Sequence, residues 1–162
     1  MDFWNALSII CTIVSGVGAW RSLAYYKKSR QITIYANTNI AYVESQKIIS
    51  TLNEMLKLSN ERIKPRGIKS YCEKVSANGE SIKNSMAKIR EILSVEDYKD
   101  IENLLNSQEL EVNKYIDSFI TGSILVDEKL IIDDNFNICQ KKFYDMQLMI
   151  KEKLEKISEK LK

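Results

Sequence analysis

Apolar side chains form two patterns along this chain, a near-continuous run at the start and a succession of helical stripes after it. The run is FWNALSIICTIVSGVGAW, residues 3 to 20, which holds no charge yet sets Asn5, Ser8, Thr12 and Ser15 among its apolar positions. At about 1.5 Å per residue it extends about 27 Å as a helix, near the roughly 30 Å hydrocarbon thickness of a bilayer. Trp4 and Trp20 stand at its two ends, where indole rings favour the membrane interface. The run predicts a single transmembrane helix; because it is short and moderately hydrophobic, the alternative is a helix lying in the interface. A cleavable secretory signal does not fit, since the run starts after Met1-Asp2 and ends in Trp20-Arg21 rather than at small residues.

Within the run, Asn5, Ser8, Thr12, Ser15, Ala19 and Ser22 follow one another at steps of 3, 4, 3, 4 and 3, which aligns them along one side of a helix. Membrane helices pack through small and hydroxyl-bearing residues, because lipid supplies no hydrophobic drive for association. The stripe Ser8, Thr12, Ser15, Ala19 therefore reads as a seam between subunits or the wall of a wet pore. The plainer alternative is that the hydroxyls bond the carbonyls of their own helix.

Further along, Tyr35, Tyr42, Ile49, Leu52 and Leu56 recur at heptad-compatible separations and predict a long helix up to about Asn60, with Pro65 and Gly67 marking its end. A second stripe runs Ile68, Cys72, Val75, Ile82, Met86, Ile89, Leu93 and keeps its phase across Asn78-Gly79. Ser94 is placed as the N-cap of a third helix, with Asp97 in its first turn, and the stripe Tyr98, Ile101, Leu105, Val112, Tyr115, Phe119 carries it to Gly122. GSILVDEKLIID is apolar enough to dock on the bundle or form a short helix. From the Asp133-Asp134-Asn135 cap a last helix follows with Phe136, Cys139, Phe143, Met146, Ile150, Leu154, Ile157 and Leu161 on one face. The expected fold is all-α: a transmembrane helix with its basic flank over residues 1–28, then over 29–162 a cytosolic antiparallel bundle of about four helices of comparable length.

Charge fixes the orientation. The net charge is +2, but between Asp2 and Glu44 there is no acid, whereas Arg21, Lys27, Lys28 and Arg30 cluster just after the run. The positive-inside rule then puts the N-terminus outside and the bundle in the cytoplasm. The same four cations lie at headgroup level, where they set topology and can touch anionic lipid. Beside a membrane, lipid is a more economical partner for AYYKKSR than nucleic acid.

The chemistry that would make an enzyme is sparse. The chain has no histidine, which removes the usual general base and the imidazole ligands of bundle metal sites, and no phosphate-binding or dinucleotide fingerprint occurs. Acids such as Glu102, Glu109, Glu111, Asp117 and Asp127 read as solvated helix faces. Cys11, Cys72 and Cys139 are far apart and odd in number, so they read as reduced, packed thiols. No catalytic residue, cofactor or metal is expected.

In size and order of parts the chain resembles the small membrane-anchored accessory proteins of RNA-targeting type VI CRISPR systems. The resemblance implies an N-terminal membrane helix, a HEPN-like bundle and assembly into membrane pores. The HEPN nuclease signature, an Arg followed by a His, has no counterpart here. The expected function is thus a non-catalytic, homo-oligomeric membrane effector of antiphage defence, with Ser8, Thr12, Ser15 and Ala19 along a pore or packing stripe and Arg21 at its cytosolic mouth. The alternative is a membrane anchor whose bundle recruits a cytosolic partner.

Overall fold

The computed structural model describes residues 3–107 and 109–161, with the backbone alone for 3–14, 16 and 17. One helix, α1, runs unbroken from Phe3 to Ser59 over 57 residues, about 85 Å. After Gly18 it meets neither glycine nor proline. Its hydroxyls do not compete with it: Thr33, Thr38, Ser45, Thr51 and Ser59 each donate to a carbonyl three or four residues back. It stops where Asn60 turns its amide onto Leu56 O, ahead of a single 3-10 turn at Pro65–Gly67.

Four more helices follow, α2 (Ile68–Ile92), α3 (Val95–Leu105), α4 (Val112–Thr121) and α5 (Asp134–Leu161). α1 packs on α2 and α5, α2 on α4, and α3 on α5. α1 and α5 run antiparallel, because Gln140 donates to Asn53 Oδ1 while Ile150 lies across a groove from Thr38. Phe119, Phe136 and Phe143 fill the centre with Ile48, Leu52, Met55 and Ile82, all fully buried. Phe119 meets Phe136 edge-on with centroids 6.4 Å apart, an arrangement the ring quadrupoles favour.

The all-α expectation holds, with five helices rather than four and lengths far from comparable. The stripe from Tyr98 to Phe119 spans two helices: Leu105 and Val112 are seven residues apart and stay in phase, which hides the break between them in the sequence. Buried Lys142 straddles that break, its ammonium donating to Leu105 O and Leu110 O. GSILVDEKLIID docks on the bundle as expected, through buried Leu130, but as a two-stranded hairpin rather than a short helix, β1 (Leu125–Val126) and β2 (Lys129–Leu130). Its two turn residues, Asp127 and Glu128, have φ of 48° and 62°, the left-handed pair of a type I′ turn, whose twist matches the strands.

The apolar face of α1 is also rotated from the expected one. Thr38, Ala41, Ser45, Ile48, Leu52 and Met55 face the core, at alternating steps of three and four. Ile49 and Leu52 are buried as expected, but Tyr35 and Tyr42 are half-buried and Leu56 is exposed. Small residues take the first three of the core-facing positions, on a helix that packs against both α2 and α5. The caps agree with the sequence: Ser94 Oγ accepts from Asp97 N, and Asp133 Oδ1 accepts from Phe136 N at 2.9 Å. Gly79 continues α2 without a break and lets α4 approach closely.

Candidate functional site, the exposed half of the long helix

Core contacts along α1 begin at Thr38, and every described residue from Ser15 to Ile34 is exposed. About 30 Å of bare helix therefore stands clear of the bundle. Among the described residues no helix is long and apolar enough to cross a membrane. The side chains of 3–14, 16 and 17, the greater part of the predicted span, lie outside the described residues.

Of the stripe, Ser15 and Ala19 are exposed, whereas the side chains of Ser8 and Thr12 fall outside the description. Arg21, Lys27, Lys28 and Arg30 are all exposed on the bare segment. Arg21 and Lys28 share a helix face with Tyr25 and, over Ala24, line a shallow depression, two cations and a phenol suited to an anionic group. The structure thus places the four cations on one uncovered length of helix. It does not draw them into a single cluster.

Where this segment enters the bundle, a polar lock that the sequence reading missed joins α1 to α2. Glu44, 8% exposed, accepts from Ser85 Oγ at 2.9 Å and from Lys88 Nζ at 2.5 Å. The bond from Lys88 holds the Glu44 carboxyl below the usual range; burial works against this and Ser85 adds to it. Its only signal in the sequence is that Glu44 is the first acid after the basic stretch. A second lock closes the other end, where Tyr71 Oη donates to Leu58 O and accepts from Leu130 N. Burial raises this phenol above its ordinary value.

α1, α3 and α5 leave a groove floored by Thr38, Leu93, Ile101 and Ile150 and rimmed by Asp97, Asp100, Glu152, Lys153 and Lys156. Lys153 pairs with Asp97 across it. Since α5 runs back along α1, the groove lies at the end of the bundle from which the bare helix emerges. Cys139 is fully buried, and burial pushes its thiol up to about 12. Among the described residues no three metal-ligating side chains come together.

The class of protein defined here is an all-α bundle with a long helix projecting from one end. No protein-family model matches the chain, and neither a curated protein nor a solved structure matches it.

Proposed function

We propose that the chain is a homo-oligomeric membrane effector whose N-terminal helix inserts into the bilayer and forms or perturbs a pore, while the bundle assembles or senses. The observation that carries the reading is the continuity of α1, which joins the uncharged run to the bundle core as one rod. Ser8, Thr12, Ser15 and Ala19 face the axis or the neighbouring helix. Arg21 forms a cationic ring at the cytosolic mouth and disfavours cation flow. Lys27, Lys28 and Arg30 meet anionic lipid headgroups on the inner face of a bacterial membrane. Antiphage defence is the setting that the resemblance to type VI CRISPR accessory proteins suggests, with no catalytic step required.

The test is the mass of detergent-solubilised protein by light scattering, for wild type and for a variant with leucine at positions 8, 12 and 15. A discrete oligomer that falls apart in the variant supports the reading, and a monomer in both removes it. In liposomes Ser15→Leu lowers ion flux at unchanged incorporation; unchanged flux counts against pore lining. Retention in the membrane after alkaline carbonate separates insertion from peripheral association.

The groove between α1, α3 and α5 favours a second reading, an anchor whose bundle recruits a cytosolic protein partner. Replacing residues 1–28 by an unrelated membrane helix preserves activity in that case and abolishes it in the first.

A further inference from the structure

The alternation of three and four that aligns Ser8, Thr12, Ser15 and Ala19 does not stop at the end of the uncharged run. Carried on without a skip, it lands on Ser22, Tyr26, Ser29, Thr33 and Ala36, then on Ile40 and Val43. All of these later positions are exposed, Tyr26 at 66%, Ile40 at 40% and Val43 at 53%. None is charged, although the same stretch holds Arg21, Lys27, Lys28 and Arg30. The next step is Lys47, and there the stripe ends.

A repeat of 3.5 residues drifts by about 20° per heptad around a straight helix, so over the five heptads from Ser8 to Val43 it turns through about 100°. No flat surface follows such a path. A second helix wound around the first does, and it must be about 50 Å long. α2 and α5, at 25 and 28 residues, are too short and carry charge on their exposed faces. Among the described helices only α1 has the length and the uncharged stripe, which makes a second copy of α1 the matching occupant. The hydroxyl of Thr33 is already bonded to Ser29 O, so closing the stripe against a partner leaves it satisfied.

We propose that this stripe is the seam of a parallel coiled coil, through which α1 of one copy packs on α1 of the next from the membrane side into the head of the bundle. The parallel direction rests on the membrane reading above, since both N-terminal runs must enter one bilayer. Arg30 then flanks the seam, Arg21, Lys27 and Lys28 point away from it, and Ile40 and Val43 close the seam beside the bundle.

The test uses the full chain with Cys11→Ser and Cys72→Ser, keeping the buried Cys139. Single cysteines are placed on the seam (Ser29→Cys, Ala36→Cys, Val43→Cys) and off it (Gln31→Cys, Asn39→Cys), and oxidised in membranes. Disulfides need Cα atoms about 4.4–6.8 Å apart, so seam positions give dimers and off-seam positions lose them. Ala36→Lys with Ile40→Lys abolishes the oligomer while leaving the urea midpoint in place, because both residues are exposed. Cross-links at Ser15→Cys and Ala19→Cys without any at the three seam positions overturn the inference and leave the membrane oligomer standing. Seam cross-links without liposome permeability uphold the inference and remove the pore. A monomer without cross-links removes both.

Discussion

Replacing Glu44 by alanine tests whether α1 is locked into the bundle by chemistry or by packing alone. The substitution strips the acceptor from Ser85 Oγ, on a residue only 1% exposed, and a buried hydroxyl without a partner costs about 1–3 kcal/mol. Lys88 keeps access to water, its side chain being 53% exposed, so losing the pair adds only about 0.5 kcal/mol. The expected total is about 1.5–3.5 kcal/mol, read as a fall in the urea midpoint of the bundle by circular dichroism in detergent. Glu44→Gln retains an acceptor for Ser85 and loses about 0.5–1 kcal/mol. In a double-mutant cycle with Ser85→Ala, the second substitution costs little once the first is made, a coupling of about 1–2 kcal/mol. The pH dependence follows from the lowered carboxyl. Its contribution is fully present above the ordinary glutamate value of about 4.3 and lost as pH falls through the folded one, so the gap between wild type and Glu44→Gln closes on acidification. A cost below about 0.5 kcal/mol for Glu44→Ala, or a gap indifferent to acid, refutes the reasoning, the first by showing that Ser85 has turned to a carbonyl of its own helix.

Two other substitutions probe backbone positions. A Cβ on Gly79 lies 3.0 Å from Phe119 Cβ and Ile120 Cγ1 and 3.2 Å from Ile120 N; the overpacking cost of about 1–3 kcal/mol exceeds the helix gain of about 1 kcal/mol, so Gly79→Ala destabilises the bundle by about 1 kcal/mol, read as a lower urea midpoint. Gly67→Ala, with open space around it, is the neutral comparison. Glu128→Gly relieves a side chain held at φ 62° in the hairpin turn and raises thermal stability by about 0.5–1 kcal/mol, an effect absent for Glu109→Gly if the turn is the cause.

The helical class and most of the core were legible because the stripes of α2 and α5 are one-sided and their burial follows the period. Ser94 and Asp133 were legible as caps because their side chains act on backbone amides three residues away. The break between Leu105 and Val112 escaped because phase says nothing about continuity. The hairpin escaped because two residues of left-handed backbone, here Asp127 and Glu128, need no glycine when the strands hold them. The α1 face was misjudged for a related reason: large side chains such as Tyr35 and Leu56 draw the eye, yet where two neighbours press on one helix the smaller Thr38, Ala41 and Ser45 go inside. Of the candidate residues, Ser15, Ala19 and the four cations are exposed on the bare helix, which their local spacing could not show, and the side chains of Ser8 and Thr12 lie outside the described residues. The Glu44, Ser85 and Lys88 lock was not legible, because it joins residues about forty positions apart.

α1 has its only glycines at Gly16 and Gly18 and no proline, and kinks arise where such residues or inserted groups interrupt the ladder. From Ala19 to Glu44 it therefore acts as a drive shaft about 37 Å long. A twist applied to the bundle, gripped at Glu44, reaches Ala19 through the same angle, and the first place that can absorb it is the glycine pair beyond. Whatever takes hold of the bundle turns the exposed helix with it as far as Ala19.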